Sequence, residues 1–205
     1  MAANSPAAVT IGNVLFRFRS YIPIPFFIAV VVFAQLDPLL LAAGIFITIC
    51  GEILRFLGVG HAGYATRTTT VGANQLVTAG PFARMRNPLY VGNILLGLGF
   101  VIGAGGLFPW LPSGFLIFTT IYYYFIIRAE ESFLSEKFGS SYQDYLAHVP
   151  RFFPRLTPWK GSSQHPMEFK VAWRSERRTF QTIIIMAFLI SLSMIAKTYW
   201  ISCKI

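Results

Sequence analysis

Charged side chains are scarce in this sequence. They make up 12% of its 205 residues, against 55% hydrophobic ones, where an ordinary soluble domain carries about 25% charge. So few charges do not cover the surface of a water-soluble globule of this size, and the length divides better into apolar spans of roughly 20 residues each. Cysteine is scarcer still. Cys50 and Cys203 are far apart and lie in or beside apolar runs, so neither a disulfide scaffold nor a metal site is expected. Internal repeats and low-complexity segments are also lacking. No signal peptide is expected either, because Arg17 and Arg19 precede an apolar run that has no small-residue cleavage site.

What charge there is has one dominant sign. Seventeen basic residues face eight acidic ones, for a net charge of +9. The basic residues form no stripe interleaved with aromatics, so nucleic acid is not an expected partner. They sit between apolar runs instead, as the positive-inside rule places them.

Five apolar runs predict an all-α, polytopic membrane helical bundle of about five transmembrane helices. The first, Tyr21 to Leu36, opens with Pro23 and Pro25, which suit a helix start. Asp37-Pro38 interrupts the chain before the second, Pro38 to about Gly58, where Glu52 and Arg55 share a helical face. Residues 59 to 86 read as a polar loop. The third run, Pro88 to about Gly106, ends at a proline-rich turn. The fourth, Leu111 to Ile127, continues through Glu130 and Glu131 to Phe138-Gly139. Residues 157 to 177 read as a second, basic loop, and the fifth run covers Phe180 to Ile195. Five spans place fifteen basic residues on one face and leave Lys197 and Lys204 on the other, so the amino terminus and both long loops are expected in the cytoplasm. The whole chain reads as a single membrane domain, with a final transmembrane helix at about 179–198.

Two polar clusters are costly to keep beside a bilayer. The first runs from Leu76 through Val77, Gly80-Pro81, Arg84, Arg86-Asn87-Pro88 and Tyr90 to Gly92. Asn87-Pro88 reads as a helix N-cap followed by a proline at the first helical position, and such a helix start favours an anionic ligand group. Gly80-Pro81 forces a turn, and glycine lets a ligand approach the backbone. Read by itself, this segment is equally a well-capped transmembrane helix. The second cluster is Arg128, Glu130 and Glu131. Adjacent glutamates point about 100° apart on a helix, so one can face a site while the other meets water or a basic partner such as Arg128 or Lys137. The topology brings both clusters to one face of the membrane. Tyr142 and Tyr145 then share a helical face, and Val149-Pro150-Arg151 folds back over the helix ends as part of a lid.

Leu76 to Gly92, Glu130-Glu131, Phe138-Gly139, Tyr142, Tyr145 and Val149-Pro150-Arg151 together resemble the isoprenylcysteine carboxyl methyltransferase family and, more distantly, the phospholipid N-methyltransferases. The resemblance covers about residues 50–155. It implies S-adenosylmethionine as methyl donor and a lipophilic small molecule or lipid as acceptor. By this resemblance the donor contacts are Val77, Gly80, Pro81, Asn87, Tyr90, Gly92 and Glu130 or Glu131, one of which pairs with the donor's ammonium. Glu131 also stands with Arg128 and Arg151 as a catalytic candidate, either arginine orienting an anionic substrate. Tyr90 is either a donor contact or an interfacial anchor. The family's Arg-His-Pro-x-Tyr is Arg86-Asn87-Pro88-Leu89-Tyr90 here, and asparagine does not titrate near neutral pH, so position 87 suits ligand positioning rather than acid–base work. His61, His148 and His165 lack ligand-spaced partners, and His61 reads as a loop or interfacial residue. A carboxylate on a prenylated cysteine, an amine headgroup and an isoprenoid-like molecule all fit as acceptor. The competing readings are an NADPH-dependent membrane reductase of the sterol-reductase type and a small non-catalytic transporter.

Overall fold

The computed structural model describes residues 6–63, 75–163 and 165–202. Arg67, Cys203 and Lys204 lie outside the described residues. Among the described residues, six α-helices follow one another: α1 (Pro6–Phe18), α2 (Ile24–Phe33), α3 (Pro38–Ala62), α4 (Pro88–Gly103), α5 (Trp110–His148) and α6 (Phe169–Ser202), with a short 3₁₀ turn at Gly80–Ala83. There is no strand among the described residues. The molecule is a membrane helical bundle.

Three helices, α3, α5 and α6, are long and apolar enough to cross a membrane. The other two apolar runs form shorter helices. At 1.5 Å per residue, the ten residues of α2 reach about 15 Å and the sixteen of α4 about 24 Å, against a hydrocarbon core of about 30 Å. The first run is shortened by Pro23, which delays the helix to Ile24, and by the extended Ala34 that ends it. The carboxy-terminal end of α2 is closed by α6. Lys197 of α6 donates to the carbonyls of Val32 and Ala34, and Ser193 donates to Val31 at 2.7 Å, satisfying carbonyls that have no partner within the helix.

Two helices depart from the sequence expectation. Residues 6–18 form α1, which lies so close along α5 that a Cβ on Gly12 would come within 2.2 Å of the Phe125 carbonyl oxygen. Helix α6 begins at Phe169 rather than near 180, so the second basic loop is in part helical. The cause is Glu176, which is fully buried and paired with Arg55 of α3. That pairing holds the first turns of α6 against the bundle.

Helices α3 and α4 form the tightest pair, and their sequences explain it. Gly44, Gly51 and Gly58 recur every seven residues on α3, Gly44 against Gly99 and Gly103 of α4, Gly51 against Gly92 and Leu96, and Gly58 against Leu89. Small residues let helix backbones approach where lipid gives no hydrophobic drive for association. A Cβ on Gly99 would lie 2.2 Å from Thr48 Oγ1 and 2.6 Å from the Gly44 carbonyl oxygen. Gly99→Val is expected to cost about 1–3 kcal/mol by overpacking. Thermal unfolding of the detergent-purified chain would register this, and an unchanged midpoint would refute the tight crossing.

Asp37 caps α3, its carboxylate accepting from the N–H groups of Leu39 and Leu40 at 2.9 and 3.0 Å, ahead of Pro38 at the first helical position. Helix α5 bends at Gly139, whose φ of 51° and ψ of −125° are not helical. The bend turns Tyr142 and Tyr145 back toward the start of α4.

Candidate functional site

The segment from Gly80 to Asn87 is the wall between two cavities. Phe82, Arg86 and Asn87 face a small polar cavity of about 120 Å³, which Glu130, Glu131 and Tyr142 close from α5. Gly80, Pro81, Ala83, Arg84 and Met85 face a larger, mainly apolar cavity of about 1040 Å³. The first polar cluster of the sequence therefore contributes to both.

The small cavity is held by a bridge of arginines. Glu131 accepts from Arg151 through both carboxylate oxygens, with Nε at 3.1 Å, and pairs with Arg86 at 3.4 Å. Such a two-pronged guanidinium–carboxylate contact is among the stronger, more directional ones. Glu130 takes a different partner. Its carboxylate accepts from the Tyr90 hydroxyl, and Arg19, just after α1, is near enough to interact with it electrostatically. Both glutamates thus line the cavity, but only Glu131 is neutralised by two cations. Neither Arg128 nor Lys137 is the arginine-bridge partner. Arg128 lies over the Tyr124 ring at 5.2 Å, and Lys137 sits over Phe133 and Phe138 at 5.6 and 5.9 Å.

Asn87 occupies the position before α4, yet its side chain does not cap the helix. Its Nδ2 donates instead to the Arg151 carbonyl at 3.1 Å, so the helix starts at Asn87-Pro88 as expected but without a side-chain cap. The amide is used to tie the 149–159 segment to the start of α4. That segment folds back along residues 83–86 through Arg86 N–H to Pro150 (2.9 Å), Arg155 N–H to Arg84 (3.0 Å) and Trp159 N–H to Ala83 (2.9 Å). Tyr145 adds a bond to the Phe82 carbonyl at 2.8 Å. These backbone pairings fix the wall from outside.

The remaining sequence candidates divide by position. Val77 lines the small cavity, while Gly80 and Pro81 line the large one. Tyr90 is buried, joining Glu130 to the ring of Tyr123 at 4.9 Å. Gly92 belongs to the α3–α4 contact, where a Cβ would lie 2.5 Å from Arg55 Cγ. Arg128 lines neither of the two cavities.

Two residues gain importance from the structure. Arg86 lies in the polar cluster, but nothing in its sequence position distinguished it from Arg84. Its buried Nε–H has no acceptor among the described residues, and its side chain lines the small cavity. His61 does not sit in a loop. It belongs to the last turn of α3 and lines the large cavity.

A family model described as phospholipid methyltransferase matches residues 38–141, from the start of α3 to just beyond the Gly139 bend. The chain is also 38% identical over 92 residues to the cobalt-zinc-cadmium resistance protein CzcN of Cupriavidus metallidurans, covering 44% of this chain and 40% of that protein. It is 35% identical over 95 residues to the nickel-cobalt-cadmium resistance protein NccN of Alcaligenes xylosoxydans xylosoxydans, covering 45% and 42%. The matched stretch thus spans less than half the length of these curated relatives. No solved structure matches. Of the two families the sequence resembles, the isoprenylcysteine enzymes stand first by motif, whereas the matching model is that of the phospholipid enzymes. With half of its length inside that match, the chain belongs to the phospholipid methyltransferase family.

Proposed function

We propose that this chain transfers a methyl group from S-adenosylmethionine to a lipophilic acceptor at the cytoplasmic face of the membrane. The observation that carries this reading is the pair of unlike cavities on the two sides of residues 80–87. A small-molecule site normally occupies about 300–1,000 Å³, so the polar cavity suits one charged end of a ligand and the apolar one suits a hydrocarbon body.

The small cavity fits the donor's zwitterionic amino-acid end. Among the described residues Arg86 Nε–H is buried without an acceptor, a costly state that a carboxylate would relieve. Glu130, which accepts from Tyr90 and is not clamped by Arg86 or Arg151, offers its carboxylate to an ammonium. When bound, the donor supplies a sulfonium-activated methyl group. Glu131 and Arg151 keep the Arg86 guanidinium in place. Asn87 holds the 149–159 segment over the site, and the apolar walls exclude water from the acceptor side. Fixing both partners in this way supplies a large share of the rate in a direct displacement.

The transporter alternative needs charged groups along a path. The buried charges Glu52, Arg55 and Glu176 instead join α3 to α6 and line neither of the two cavities. The reductase alternative is separated by ligand. S-adenosylmethionine at 100 times its Kd is expected to stabilise the purified full-length chain by about 2.7 kcal/mol, with NADPH doing nothing. Stabilisation by NADPH in place of the methyl donor would sink the proposal.

A further inference from the structure

Resting on the methyl-transfer reading, we infer that the acceptor is a thiol on an apolar chain and that His61 takes its proton. The large cavity is lined mostly by aliphatic and aromatic side chains. Among the described residues, its polar members are His61, Arg84, Thr120, Tyr123 and Ser162, with no carboxylate. Of these five, only a histidine exchanges a proton near neutral pH.

The structure fixes which ring nitrogen is available. His61 Nδ1 lies 2.8 Å from the Leu57 carbonyl oxygen, one turn back in α3. A carbonyl can only accept, so Nδ1 carries the hydrogen, and in the neutral ring the lone pair is on Nε2. The ring also has a set place. Gly80 has a φ of +58°, and a Cβ built on it would come within 2.5–2.6 Å of Cε1, Nδ1 and Nε2 of His61. Glycine is required there twice, by its backbone and by the imidazole against it. His61 is thereby pressed onto the wall that separates the two cavities, on the apolar side.

The charged groups around His61 bear on the acceptor's identity. Arg84 lines the same cavity, its guanidinium donating to the Arg155 and Leu156 carbonyls. On the α6 side, Glu168 approaches through its backbone N–H, which bonds the Gly60 carbonyl at 2.9 Å. From α5 comes the phenol of Tyr123. An ammonium group would enter beside Arg84 with no carboxylate in the lining to offset it. A carboxylate is ionised at pH 7 and has no use for a base. A thiol, with an ordinary pKa of about 8.5, is protonated at neutral pH, is at home in apolar surroundings and becomes a strong nucleophile only as thiolate.

The step balances without another reagent. The acceptor's S–H proton passes to His61 Nε2, and the acceptor sulfur forms a bond to the methyl carbon. The carbon–sulfur bond of the sulfonium breaks with its electron pair left on the donor sulfur. The products are a methyl thioether, a neutral donor thioether and an imidazolium that returns its proton to water.

The test uses the purified full-length chain with S-adenosylmethionine and three probes sharing one chain length: decane-1-thiol, decylamine and decanoate. Methylation of the thiol is expected to be fastest. His61→Asn is expected to lower kcat at pH 7 by about 10²–10⁴-fold, with the loss shrinking as pH rises and the thiol ionises unaided, while stabilisation by the methyl donor is unchanged. His61→Gln serves as the second variant should the first not fold. Independently of turnover, decane-1-thiol should shift the His61 imidazole resonance in histidine-labelled protein, and decane should not. Preferential methylation of decanoate or decylamine, or an unaltered kcat in both His61 variants, overturns the assignment and leaves the methyltransferase reading intact. Failure of the methyl donor to stabilise the wild-type chain overturns both.

Discussion

Arg55→Ala is expected to be the most destabilising single change in the chain, by about 3–5 kcal/mol, because it takes the Arg55 guanidinium away from a buried carboxylate. Arg55 donates to both oxygens of Glu176 at 2.8 and 2.9 Å, to Asn93 Oδ1, and lies 3.8 Å from Glu52. Glu176 itself is 0% exposed. The ion pair joins α3 to α6 at a depth where water does not replace the lost contacts, which is why removal of one partner weighs more than the pair contributes. Replacing both members with apolar residues, as Arg55→Met with Glu176→Leu, should recover most of the loss. Denaturant or thermal unfolding of the single and double variants checks this. If Arg55→Ala unfolds like the wild type, the bridge is not holding α6. The change should also reach the large cavity, since Asn93 hydrogen-bonds Tyr123, a lining residue.

Glu130→Gln is expected to lower methyl-donor affinity by about 10–150-fold, matching the 1.5–3 kcal/mol of a hydrogen bond to a charged group. The fold should survive, because an amide oxygen still accepts from Tyr90. Glu131→Gln should behave in the opposite manner. Two guanidinium groups, Arg86 and Arg151, lose their common anion, so stability falls first and binding falls as a consequence. Calorimetric Kd values beside unfolding midpoints for the two variants separate these roles. Loss of donor binding in Glu131→Gln at full stability, with Glu130→Gln binding normally, would reverse the assignment.

Much of the architecture was legible because bilayers impose local rules. Apolar runs marked α3, α5 and α6, and Asp37-Pro38 marked the start of α3. The heptad-spaced glycines of α3 were visible as letters, but their meaning depends on α4 lying opposite. Helix α1 and the first turns of α6 were not legible. Residues 6–18 form no apolar run long enough to cross a membrane, and the basic segment near Glu176 has the composition of a loop. Each becomes helical by docking on a neighbour, Gly12 against α5 and Glu176 on Arg55.

The candidate site divides in the same way. That Asn87 and the two glutamates share one end of the bundle followed from counting spans, and they do line one cavity. The partner of each group did not follow. Asn87 looked like a cap but reaches sideways to Arg151, 64 residues away. Glu131 had Arg128 close in sequence, yet its partners are Arg86 and Arg151.

By itself, the sequence determined that the chain is a membrane helical bundle, where the long apolar helices α3, α5 and α6 run, and where its polar residues cluster, because hydrophobic length and proline or glycine breaks act over a few neighbouring residues. The tertiary structure alone decided which charge neutralises which, that residues 80–87 divide a polar cavity from an apolar one, and that His61 faces the latter. Those outcomes depend on distances between side chains remote in the chain, and only the packing of helices against one another sets them.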